Sequence, residues 1–222
     1  MGSFNRRAAI VAFVALASVS TAAAQEVRTV SIEAGKLFKY LNLYYRIPPA
    51  ERTLFTLSYF VNAAGAPLSQ VKVSTSAGAA PLAADGKVMR LPTAEMLRRK
   101  DKVTIQGPKG AKFDLSMQLE SLAPPAAEMP AAPLVGSVTQ ANKGIKGAAG
   151  LIGGMVPTMG RLVFKNAGTG QVVLADGRRA ALPAAQGTPV FDPAAWPNAR
   201  SLTFQRAPSR IFIAPVPKPK KR

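Results

Sequence analysis

From residue 27 onward, apolar and polar side chains alternate in short runs with the two-residue period of β-strands, and glycine- or proline-bearing turns separate the runs. Val27 to Ile32 is one such run. Leu54 to Val61 is another, with Phe55, Leu57, Tyr59 and Val61 on one face and Leu54, Thr56, Ser58 and Phe60 on the other. Both faces are largely apolar, which predicts a strand covered on both sides. Residues 37–46 fit a strand or a helix equally, and Pro48-Pro49 closes them either way. Residues 69–75 alternate as a strand. Asp85-Gly86 and Asp176-Gly177 suit tight turns, because both residue types tolerate positive φ. Thr93 is placed to cap a short helix beginning at Ala94, its hydroxyl accepting an exposed backbone N–H.

Residues 102–106 and 111–119 flank Gly107-Pro108-Lys109-Gly110 and predict a hairpin. Residues 201–205 and 210–214 flank Arg206-Ala207-Pro208-Ser209 and predict another. Residues 161–165, 171–175 and 178–182 read as strands, and Asp192-Pro193 as the start of a helical turn through Trp196.

This order of elements occurs twice. Asp85-Gly86, Leu91-Pro92-Thr93-Ala94 and Val103-Thr104-Ile105-Gln106 precede a proline turn and Phe113. Asp176-Gly177, Leu182-Pro183-Ala184-Ala185 and Leu202-Thr203-Phe204-Gln205 precede a proline turn and Phe212. The expected fold is therefore mainly β, with two small related β units that are hairpin-rich and sandwich-like. Each unit has apolar strand faces that need a partner layer. Residues 122–133 hold four prolines and several alanines, which reads as an extended linker between the units.

After the linker, glycine falls on every third position from Gly144 to Gly153, and Gly154 follows. Three readings stay open: a close-packed helix, an interfacial membrane segment, or an irregular connection. A helix with this spacing drifts by about 60° per glycine, so no single glycine face forms. The uncharged stretch 147–160 is too short to span a bilayer.

The first 24 residues follow a different pattern: a basic start with Arg6 and Arg7, an uncharged apolar run, and small residues ending at Ala24. This layout is that of a signal peptide, with cleavage expected after Ala24 and a periplasmic or secreted mature chain. No transmembrane span is expected once it is removed. The domain boundaries that follow are signal peptide 1–24, first β domain 25–121, linker 122–134, second β unit 135–215 with the Gly-rich segment at its start, and basic tail 216–222.

Charge separates the two halves. The whole chain carries a formal +18, and the part beyond residue 24 has 27 basic and 11 acidic residues. Residues 135–222 hold 13 basic residues and only Asp176 and Asp192 as acids. Such a surface either attracts polyanions or simply keeps the protein soluble. The candidate anion-binding residues are Arg178, Arg179, Arg200, Arg206 and Arg210 in the second unit. Lys218, Lys220, Lys221 and Arg222 form the tail, and Arg98, Arg99, Lys100 and Lys102 form a smaller cluster.

The chain has neither histidine nor cysteine. That removes the usual general base near neutral pH, the Ser-His and Cys-His nucleophile arrangements, and nearly every zinc site. Ser69 and Lys72 have SxxK spacing, but a strand would point them to opposite faces. Asp85, Asp176 and Glu95 are carboxylates with local backbone or ion-pair roles, and Asp101 and Asp114 are not clustered as cation ligands. The expectation is a protein without catalytic activity, metal or cofactor. It would bind or scaffold at the cell envelope, with lipopolysaccharide, anionic lipid or another envelope protein as partner rather than nucleic acid. The alternative is a protein-assembly or chaperone-like module using the aromatic segment 38–60 or an open strand edge.

Overall fold

A computed structural model of the protein describes residues 26–150 and 157–217. These residues form a mainly β structure with three antiparallel sheets. The first sheet contains β1 (Val27–Glu33), β5 (Lys102–Pro108), β3 (Lys72–Thr75) and β4 (Gly78–Ala79), side by side in the order β1-β5-β3-β4. The second contains β7 (Glu128–Pro130), β13 (Ala199–Phe204), β9 (Gly170–Leu174) and β10 (Arg179–Ala181), in the order β7-β13-β9-β10.

The two sheets share a plan. Each begins with an edge strand that runs straight into a helix. β1 leads into α1 (Ala34–Leu37), and β7 leads into α4 (Ala131–Ala149). Both helices start on a buried alanine, Ala34 and Ala131. In each sheet the edge strand pairs with the strand carrying the echoed motif, Val103-Thr104-Ile105 in β5 and Leu202-Thr203-Phe204 in β13.

The third sheet joins the two halves of the chain. Its order is β11 (Ala184–Ala185), β12 (Thr188–Phe191), β8 (Met159–Lys165), β14 (Arg210–Pro215), β6 (Lys112–Ser121) and β2 (Phe55–Ala64). The seam is the antiparallel pair β14–β6, with Phe212 opposite Glu120 and Ile213 opposite Leu119. On β2, Leu57, Tyr59 and Val61 face one core while Ser58 and Phe60 are buried on the opposite face, so the strand is covered on both sides.

Two expected hairpins are not hairpins. β5 belongs to the first sheet and β6 to the third, and likewise β13 to the second and β14 to the third. The turns at 107–110 and 206–209 are arches that carry the chain from one layer to the facing one. The apolar sides of the two strands then meet across a core instead of lying side by side. The ring of Phe113 closes the first arch over Gly107, where a Cβ would come within 2.5 Å of it. The expected strand at 69–75 also starts late: Leu68–Gln70 is a 3-10 turn and the strand begins at Lys72.

The ambiguous stretch 37–46 holds the end of α1, a turn at residues 38–40 and α2 (Leu41–Arg46), with no strand. The expected linker 122–134 is built into the fold, supplying β7 and the first turn of α4. α4 runs along the glycine-rich stretch as far as Ala149, and Gly150 ends it at φ +55, a conformation glycine adopts without a Cβ clash. Gly144 lets α4 close on Ile47, where a Cβ would lie 3.0 Å from Ile47 Cγ2. Thr93 caps α3 (Ala94–Arg98) as expected, its Oγ1 accepting the Met96 N–H at 3.2 Å. The signal peptide, the tail lysines and Gly153-Gly154 lie outside the described residues.

Candidate functional site

The predicted anion-binding cations do not gather into one patch. Arg178 sits beside the Asp176 turn, its Nε donating to Oδ2 at 2.6 Å. The Arg178 backbone N–H and side chain hold the Asp176 carboxyl below the usual carboxylate range. Arg206 donates from Nε to the Asn166 carbonyl at 2.5 Å. Arg99 is bound to Asp101, whose carboxyl is held low first by the Ser76 hydroxyl and then by Arg99 itself. Arg98, Lys100 and Lys102 are exposed around α3 and the start of β5. Arg179 lies on the edge strand β10. Arg200 is the one candidate that shares a groove with another cation. It lines a shallow depression with Lys143 of α4 and Glu51, and Lys143 and Glu51 are 3.5 Å apart. Lys218, Lys220, Lys221 and Arg222 lie outside the described residues.

Arg210 is a correction to the expected surface set. Its guanidinium is three-quarters covered and bonded to carboxylates from the first half of the chain. Nε donates to Asp85 at 2.5 Å and Nη1 to Glu120 at 3.3 Å, while the guanidinium lies over the Phe60 ring at 5.3 Å. Glu120 is 5% exposed and also accepts from Lys87 Nζ and from Ser58 Oγ at 2.7 Å. Its charge is therefore matched by two cations and both its oxygens accept hydrogen bonds, which a buried carboxylate requires. The network is an internal seam, not a binding face. The Arg210 hydrogen bond holds the Asp85 carboxyl below its usual value.

On the other face of the third sheet lies a cavity of about 710 Å³. Its floor is Leu57, Leu119 and Ile213, from the three strands β2, β6 and β14. Leu43 and Tyr44 of α2, Ile47 just after it, and Ile145 of α4 form its roof. Tyr40, Met117, Pro157, Met159 and Pro215 surround its opening. No charged residue is among the described lining residues. The site thus sits where the two halves meet and draws on six elements far apart in sequence. No local motif announces it, although the alternation in β2 marks Leu57 as inward-facing.

Two exposed side chains stand at the opening, the first of them in the turn between α1 and α2. Tyr40 is 65% exposed and holds φ +66, a left-handed conformation unusual for a bulky residue. Met117 is 39% exposed beside it. The other aromatics of the 38–60 stretch are mostly core: Phe38, Phe55 and Tyr59 are at most 1% exposed. The Tyr59 hydroxyl donates to the Lys39 carbonyl at 2.5 Å, and burial pushes its pKa upward. A partner for this segment would meet Tyr40 rather than an aromatic face. β1 is an open edge strand of the first sheet.

The carboxylates and the SxxK pair are scattered. Ser69 lies in the 3-10 turn and Lys72 opens β3 opposite Gln106. Glu95 is 3.7 Å from Arg99, and Asp114 is exposed on β6 opposite Asn62. Among the described residues no three histidine, cysteine or acidic side chains converge as metal ligands. None of the described helices is long and apolar enough to cross a membrane. Comparison with protein-family models, curated proteins and solved structures finds no match for this chain.

Proposed function

We propose that the protein is an exported, non-catalytic component of the cell envelope, built from two related β units, that binds an anionic envelope lipid or lipopolysaccharide through its basic surface. The observation that carries this reading is charge without local compensation. Lys146, Arg161, Lys165, Arg179, Arg200 and Arg206 have no acidic partner within 4.0 Å among the described residues, and Asp176 and Asp192 are the only acids beyond Glu128. Unpaired cations on a rigid scaffold draw in anionic surfaces over roughly a Debye length, about 8–10 Å at moderate salt. The common strand order of the first and second sheets supports the two-unit part of the reading.

The test is co-sedimentation of the mature chain with vesicles containing anionic phospholipid, and separately with lipopolysaccharide, across a salt series. Binding is expected at low salt, with a steep fall as salt rises. Reversal of Arg179 and Arg200 to glutamate should weaken it at every salt concentration. Equal binding to neutral and anionic vesicles, or none to either, would sink the proposal.

A further inference from the structure

The geometry points to the cavity between α2, α4 and the third sheet as a binding site for one aliphatic chain of a single-chain anionic amphiphile, a fatty acid or lysolipid. The inference rests on the preceding reading only for the charge of the ligand's head. A volume of about 710 Å³ falls inside the range of small-molecule sites, roughly 300–1,000 Å³, that bury most of a ligand's surface. The floor residues Leu57, Leu119 and Ile213 and the roof residue Ile145 are aliphatic, so they recognise hydrocarbon and offer an inserted charge nothing. Gln118 and the Tyr40 and Tyr44 hydroxyls are the polar side-chain groups among the described lining residues, so a strongly polar ligand buried here would recover little of its lost hydration.

The opening favours an amphiphile over a wholly apolar guest. Tyr40, kept exposed at a strained backbone position, and Met117 present an apolar surface to water at the cavity opening. Such a rim is the form taken by sites where one end of the ligand is apolar and the other wet. A cation stands on the same side. Asn142 of α4 clamps Met159, its side chain accepting from the Met159 N–H and donating to the Met159 carbonyl, both at 2.8 Å. Lys146 lies one helical turn beyond Asn142, so it shares the side of α4 that looks onto the Pro157–Met159 part of the rim. Lys146 is exposed and has no acidic partner among the described residues. An anionic head at the opening would lie within its reach while the chain occupies the cavity.

The test uses the full mature chain and a fluorescent fatty acid whose emission rises on entering an apolar site, displaced by palmitate, by an anionic lysophospholipid and by the uncharged alcohol of equal length. Saturable one-to-one uptake is expected, displaced more strongly by either anionic compound than by the alcohol. Ile145→Trp fills the cavity from α4 and should weaken uptake at least tenfold, and Leu43→Trp on α2 is the second blocking variant if the first is unfolded by circular dichroism. Lys146→Glu should erase the preference for acid over alcohol and leave binding of the alcohol unchanged. Uptake that is not saturable, or that both folded tryptophan variants leave intact, overturns the inference. So does uptake that appears only after residues 151–156 are replaced by a Gly-Ser linker, or a concentration-dependent dimer that fatty acid does not dissociate. Vesicle binding without chain uptake defeats this inference alone, whereas chain uptake without salt-sensitive vesicle binding defeats the surface reading alone.

Discussion

Arg210 on β14 donates its Nε–H to Oδ2 of Asp85, 2.5 Å away and 125 residues earlier in the chain. Asp85 sits in the tight turn before Lys87, whose backbone N–H it also accepts at 3.3 Å. One carboxylate therefore fixes its own turn and holds the last strand of the second half onto the first. The Arg210 bond keeps its folded pKa below the ordinary value of 3.8. A carboxyl with a depressed folded pKa contributes stability that is full above its unfolded pKa and is lost as pH falls through the folded value. The protein should therefore lose stability as pH drops below about 4, and Asp85→Asn should remove part of that loss while lowering stability at neutral pH. Urea midpoints of both proteins at pH 3, 4, 5 and 7 check this. Parallel pH curves for the two would show that the bond has no linkage to folding.

Glu120 tests the rest of the seam. Losing only one of Lys87 and Arg210 leaves Glu120 one cation and the Ser58 hydroxyl. Replacing both with methionine leaves a buried carboxylate uncompensated, a situation that costs roughly 3–5 kcal/mol. Adding Glu120→Gln to that double variant should restore much of the loss, because the buried charge is then gone. Denaturant unfolding of the single, double and triple variants should therefore give a non-additive series with the double variant lowest. An additive series would mean that the three side chains act independently.

Much of this architecture is visible in the residues, and the parts that are not have a common cause. Thr93 and the two Asp-Gly turns are legible because their chemistry is local: an Oγ within reach of an N–H, or a glycine at positive φ after an aspartate whose carboxylate accepts the N–H two residues on. The first and second sheets share a strand order, but the echoed turns do not coincide in it: Asp85-Gly86 follows β4, whereas Asp176-Gly177 joins β9 to β10. What alternation does not reveal is which strand lies beside which. Val103 and Ile105 alternate identically whether β5 pairs with β6 or faces it across a core, so a four-residue proline turn fits a hairpin and an arch equally. The 37–46 stretch folds as the end of α1, a turn at residues 38–40 and α2, a path that buries Ala34, Phe38 and Leu41 in one core cluster. The cavity was hidden because Leu57, Ile145 and Ile213 are unremarkable aliphatic residues until the fold brings them together. Arg210 reads as a surface cation in the sequence because its partners, Asp85 and Glu120, lie in the other half of the chain.

Gly86 should tolerate no side chain. It holds φ +85, and a Cβ there would lie 2.3 Å from the Val61 carbonyl oxygen. That close approach lets Val61 N–H donate to the Gly86 carbonyl at 2.9 Å, the bond that covers the outer edge of β2. Gly86→Ala meets backbone strain, which costs about 1–3 kcal/mol, and in addition a clash with main chain. Gly177, in the other Asp-Gly turn, between β9 and β10, has φ +84 but open space around it. Gly177→Ala should therefore cost clearly less than Gly86→Ala. Thermal unfolding of the two variants settles the order, and equal losses would mean that the contact with Val61 contributes nothing.

The glycines of α4 divide by what stands opposite them. Gly144 faces Ile47, which is 2% exposed and has little room to retreat from a Cβ at 3.0 Å. Gly147 has nothing within 4 Å of the corresponding position. Replacing a helical glycine by alanine gains roughly 0.8–1.0 kcal/mol when no contact opposes it, because alanine has less backbone freedom to lose. Gly147→Ala should approach that gain, reduced by its nearness to the helix end. Gly144→Ala receives the same propensity benefit but must displace Ile47, in a core where even one added methyl group is felt. It should fall at least about 1 kcal/mol below Gly147→Ala. Paired chemical denaturation measures the difference directly. If both substitutions stabilise equally, α4 does not rest on α2 through Gly144, and close approach is not why glycine stands there.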